Sequence, residues 1–159
     1  MWFLFWVMLL VGGVMHARLG SDKSPGRLAE LCLVYLLVGY CGVGTMLLGI
    51  AALVHGAQLA AHLGVPAGNP IQVWTGFAIV GMSATAILGA WLRGNYLIGP
   101  VVTWAIFFAG ATYAHLHADA VRGHETSAMS AAWIFATHAL ISVLLVTLLL
   151  MSRAAGRRG

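Results

Sequence analysis

The stretch YLIGPVVTWAIFFAGATYAHLHAD, residues 96–119, decides how this chain is read. From Tyr96 to Ala114 it carries no charged side chain. About twenty apolar residues rising about 1.5 Å each cross a hydrocarbon layer about 30 Å thick, so the first part reads as a membrane-spanning helix. It then ends in His115-Leu116-His117-Ala118-Asp119, the densest polar patch on the chain.

The surrounding sequence repeats the first half of that pattern. Of 159 residues, 61% are hydrophobic and 8% charged, and the mean hydropathy is +0.93. A soluble domain carries about 25% charged residues, so the groups that would solvate a globular surface are missing. The expectation is an all-α, polytopic transmembrane helical bundle, one domain over 1–159, with five spans at about 2–19, 28–55, 71–92, 96–117 and 128–151. Glycine-rich faces in the second and third spans (Gly39, Gly42, Gly44, Gly49; Gly81, Gly89) suit close helix packing rather than a phosphate loop. The first half of the following loop, 56–70, with Gln58 and His62 among Leu59, Ala60, Ala61 and Leu63, suits a short interfacial helix.

The net charge of +4 and a pI near 9.6 come from basic residues scattered over loops and a tail. That dispersion suits lipid headgroups, and nucleic acid is not an expected partner. Five crossings with the N-terminus outside put Arg18, Lys23, Arg27, Arg93, Arg153, Arg157 and Arg158 on the inner side and leave Arg122 alone outside, with the C-terminus cytoplasmic. Cys32 and Cys41 are nine residues apart on one expected helix, too far to pair, and read as small buried hydrophobes.

This topology gathers His55, His62, His115, His117, Asp119, His124 and Glu125 at the outer face. Imidazoles on neighbouring helices suit zinc, copper or iron, and carboxylates can orient them. The candidate metal ligands are therefore His55, His115 and His117, with Asp119, His124 and Glu125 behind them. A transition metal or haem would be the cofactor. His115 and His117 point about 200° apart on a continuing helix, so they share an ion only if the helix unwinds; His55 with His115 is the better pair. Histidines at helix ends also sit there for ordinary reasons, bonded to water or to last-turn carbonyls. His138, about ten residues into the fifth span, reads equally as a functional intramembrane group and as a neutral side chain bonded to a neighbouring hydroxyl.

The residues Trp2-Phe3-Leu4-Phe5-Trp6, His55, Gly64-Val65-Pro66-Ala67-Gly68-Asn69-Pro70-Ile71-Gln72, Gly76-Phe77-Ala78, Gly110-Ala111 with His115, and Glu125 with Ala128-Met129-Ser130 resemble an uncharacterised family of small bacterial multi-span integral membrane proteins. The resemblance implies a helical protein of the bacterial cytoplasmic membrane with no established activity. It also implies polar residues where this chain has Trp74 and Ile79, so a family-wide polar site would be incomplete here.

With no soluble domain and few reactive groups, the first expectation for function is a non-catalytic structural or accessory subunit. It would pack against itself or against other membrane subunits. The alternative is a metal- or haem-binding membrane protein with its histidines at the outer face. A small-solute transporter is a further alternative, but the spans hold no charged residue well inside to line a path.

Overall fold

Ser24 starts the first long helix. Its hydroxyl accepts from the Arg27 N–H at 3.4 Å, and Pro25 follows at a position where a missing N–H costs nothing. The structure, a computed structural model, describes residues 11–16, 18, 20, 23–63, 70–122 and 134–156. The described residues are helical apart from turns and short connections, and none is in a strand.

Helix α1 runs from Pro25 to Val54 in three pieces: α-helix Pro25–Tyr35, a π-helical stretch Leu36–Gly44 and α-helix Thr45–Val54. A bend at His55 leads into the short helix α2, Gly56–Leu63. Helix α3 covers Pro70–Leu88 and helix α4 covers Ile98–Arg122. Helix α5 is described from Ile134, passes through a π-turn, Phe135–Ala139, and continues as Leu140–Gly156.

Among the described residues, three stretches are long and apolar enough to cross a membrane: Pro25–Val54, Gly94–His117 and Phe135–Ala154. Helix α3 has a shorter apolar segment, Gln72–Leu88. Of the first expected span, 2–19, only residues 11–16 and 18 are described, and they are helical.

The helix of the second expected span starts at Pro25 rather than 28 and that of the fifth runs to Gly156 rather than 151, and two further boundaries differ from the sequence expectation for local reasons. The third span was expected to reach residue 92 but the helix stops at Leu88, where Gly89, Ala90 and Trp91 donate to carbonyls three residues back at 3.0–3.1 Å. Those tighter bonds end the helix. The chain then reverses at Gly94, whose φ of 65° is open to glycine without strain. The fourth helix continues past His117 to Arg122, since loss of apolar side chains does not break the backbone ladder.

Register between helices can be followed through named contacts. A Cβ on Gly42 would lie 2.7 Å from Ile87, and one on Gly49 would lie 3.0 Å from both Ile79 and Val80. Thr45 Oγ1 and Ser83 Oγ share a hydrogen bond of 2.8 Å between these helices. So α1 and α3 run antiparallel at backbone-close range, which only small residues permit. Tyr96 donates to the Thr85 carbonyl at 2.9 Å and Trp104 Nε1 to that of Met82 at 3.3 Å, setting α4 antiparallel to α3. Ser142 donates to the Ala105 carbonyl at 2.8 Å, setting α5 antiparallel to α4. The result is an up-down-up-down bundle in which α1 and α4 point the same way.

Trp104 is wholly buried between these helices. It stacks on Phe108 at 5.3 Å and meets Phe107 edge-on at the same distance. Leu33, Leu37, Val101, Ile141 and Leu145 complete the centre.

One end of the bundle collects cations. Arg27 pairs with Glu30 at 3.0 Å, and Arg153 hydrogen-bonds the Asn95 side chain. Glu30, Asn95, Ser152 and Arg153 line a cavity of about 400 Å³ there. A neighbouring cavity of about 380 Å³ carries His16, Tyr35 and Arg93 on its wall, with His16 Nδ1 at 3.3 Å from the Tyr35 hydroxyl.

Candidate functional site

Toward the opposite end, the π-turn of α5 presents His138. Its Nδ1 lies 2.7 Å from the Thr137 hydroxyl, and its ring meets that of Phe108 edge-on at 5.8 Å. The ring of His115 faces it from α4, 5.5 Å between centres and inclined by 65°. Both imidazoles are partly exposed.

The backbone beneath this pair is irregular on both sides. Tyr40 lies in the π-helical stretch of α1 and donates its hydroxyl to the Thr137 carbonyl, inside the π-turn of α5, at 2.9 Å. A widened turn frees a carbonyl from the usual ladder, and a buried phenol on the facing helix bonds to it. Tyr40 also packs on Phe108 at 5.6 Å. One aromatic wall, Tyr40–Phe108–Trp104, thus backs His138 and fixes its orientation.

The other expected ligands fall elsewhere. His117 is exposed and stacks on Tyr113 at 5.7 Å, one turn back along α4. The helix does not unwind between His115 and His117, so their rings diverge. His55 is exposed at the end of α1, its N–H bonded to the Ala51 carbonyl at 2.8 Å. Tyr40 of α1 stands beside Phe108 of α4, and the two helices are parallel. From that level His115 is seven residues on and His55 fifteen. At about 1.5 Å per residue, His55 lies roughly 12 Å farther along the bundle than His115. The ring brought to His115 is that of His138. Asp119 lies within α4, but its side chain, like all of His124 and Glu125, falls outside the described residues.

His138 stands out in the sequence as a histidine in an apolar run; its pairing with His115 does not. The pairing leaves no signal in the sequence, since it depends on which turns of α4 and α5 meet.

Among the described residues no group of three or more histidine, cysteine or acidic side chains converges as a metal cage. Cys32 and Cys41 are both free, the first exposed and the second buried. The site amounts to two imidazoles, a threonine hydroxyl and a tyrosine hydroxyl on an aromatic wall.

The described bundle has three helices long and apolar enough to cross a membrane, cationic side chains at one end and a pair of imidazoles toward the other. The chain belongs to DUF6790, a family of unknown function whose model matches residues 1–158. No curated protein and no solved structure matches it.

Proposed function

We propose that this protein is a five-span membrane subunit, N-terminus outside and C-terminus cytoplasmic, without catalysis of its own. It packs against a second copy or against other membrane subunits. The observation that carries this reading is the outward face of α4. Gly99, Thr103, Gly110 and Ala114 are exposed there at helical spacing, between the exposed Ile106 and Tyr113. A Cβ on Gly99 or Gly110 would meet nothing described within 4 Å, whereas those on Gly42, Gly49 and Gly76 would collide with neighbours already in place. Small residues let helices approach within a bilayer, where apolar surface alone gives no drive to associate. The internal small faces are filled; this one is open.

Crosslinking in native membranes, followed by size analysis in mild detergent, tests the proposal. Gly110→Leu is expected to reduce the associated species at least fivefold while leaving the melting temperature of the single chain unchanged. A chain that migrates alone before and after the substitution would count against association.

The orientation rests on the cationic end formed by Arg27, Arg93 and Arg153, which the positive-inside tendency assigns to the cytoplasm. A cysteine replacing Ala67 is expected to react with an impermeant maleimide from outside intact cells, above the background of the unsubstituted chain. Labelling only after the cytoplasm is opened would reverse the orientation.

A further inference from the structure

We propose that His115 and His138 together hold one transition-metal ion of the imidazole-preferring kind, Zn2+ being the representative. Three independent observations converge on the pair.

The first is its geometry. A nitrogen about 2.0–2.1 Å from zinc puts its ring centre about 3.2 Å from the ion, so two rings in tetrahedral disposition have centres about 5.2 Å apart. The observed separation is 5.5 Å, with the rings inclined rather than stacked. Axial ligation of haem sets the two nitrogens on opposite sides of the iron, which would part the centres to about 6.4 Å. The pair is closer to a shared tetrahedral ion than to a haem clamp.

The second is how His138 is held. Nδ1 lies 2.7 Å from the Thr137 hydroxyl, and in the tautomer in which Nδ1–H donates to that oxygen, Nε2 carries the lone pair. A ligating histidine is ordinarily fixed in this way through its other nitrogen, which sets tautomer and ring angle together.

The third is the backbone. Both irregular π-helical stretches meet at this level, joined by Tyr40 and the Thr137 carbonyl. Extra residues in a helical turn cost regular hydrogen bonds, and such turns recur at functional sites. Here the π-turn of α5 contains His138 itself, and the facing one contributes the phenol that anchors its neighbour. Two imidazoles inside a bundle of apolar helices are costly as bystanders.

Two protein nitrogens leave coordination positions for water, which reaches the partly exposed rings. An ion held by two protein ligands exchanges more readily than one in a closed cage, so the site suits a loaded and unloaded ion rather than a permanent structural one.

The test uses the full chain purified in detergent, stripped with chelator and titrated with Zn2+ against a chromophoric competitor. One ion per chain is expected. His115→Ala and His138→Gln are each expected to weaken binding by about 10-fold or more. Thr137→Val is expected to weaken it about 10-fold at unchanged stoichiometry, since loss of an orienting partner costs that much. His55→Ala and His117→Ala are expected to bind as the unsubstituted chain does. The proposal is overturned if the unsubstituted chain retains no Zn2+ against the competitor. It is equally overturned if His115→Ala and His138→Gln, with native melting behaviour, still bind one ion at full strength, or if His117→Ala weakens binding as much as they do.

Discussion

Gly49→Leu is expected to lower the unfolding temperature by about 10 °C. The added Cβ alone would stand 3.0 Å from methyl groups of both Ile79 and Val80 and 3.2 Å from the Gly76 carbonyl oxygen. The methyl groups can rotate away in part, but the carbonyl belongs to the backbone of α3 and moves only with the helix. Overpacking of this kind costs about 3 kcal/mol, and a chain near 150 residues loses roughly 2–4 °C per kcal/mol. The damage also reaches the Thr45–Ser83 hydrogen bond, one turn away on the same interface. Cys41 is wholly buried, so its reaction with a thiol probe during heating reports the separation of helices. Gly81→Ala is the control: a Cβ there meets nothing described within 4 Å, and alanine in a helix is favoured over glycine by up to about 1 kcal/mol. Equal melting of the Gly49→Leu and unsubstituted chains would mean that α1 and α3 do not approach as described.

Trp104→Ala removes the largest fully buried side chain among the described residues, and the expected loss is about 3 kcal/mol. That figure is the low end for a buried tryptophan, because in a bilayer the unfolded reference still keeps the ring out of water. What remains is lost dispersion against Phe107 and Phe108 and the bond from Nε1 to the Met82 carbonyl. Trp104→Phe keeps a ring in the wall and is expected to recover more than half of the loss. Denaturant titration in detergent, followed by the fluorescence of the remaining tryptophans, measures both. Since Phe108 bridges Trp104 and His138, Trp104→Ala should also loosen the imidazole pair. A substitution that leaves the unfolding midpoint unmoved would show that the ring is not the centre of the core.

The helices were legible because their signal is compositional: runs such as Val101–Ala114 have no alternative to a helix in an apolar medium. Gly42 and Gly49 marked a packing face because two backbones approach only where side chains are small. The short helix Gly56–Leu63 was visible for the same local reason. What escaped depends on third parties. Helix α4 continues through His117 to Arg122 on backbone bonding, which a hydropathy pattern does not record. That extension leaves His115 inside the helix rather than in its last turn. The π-helical stretches have no residue signature beyond a glycine cluster at Gly39, Gly42 and Gly44, and a cluster of this kind also fits an ordinary packing face. The pairing of His115 with His138 follows only from the register of two antiparallel helices, fixed by contacts such as that of Ser142 with the Ala105 carbonyl.

The π-helical stretch Leu36–Gly44 separates two halves of α1 that serve different neighbours. Leu33 and Leu37 sit in the common core, whereas Thr45 and Gly49 face α3. A π-turn carries one residue more than the α-turn it replaces, and one residue is about 100° of α-helix. The irregular stretch therefore acts as a phase-setter between two surfaces on one rod. Removing a single residue from it would leave composition and length almost untouched, yet would turn Gly49 away from α3 and carry a bulkier side chain into its place. In this chain an insertion or deletion between 36 and 44 is a change of interface.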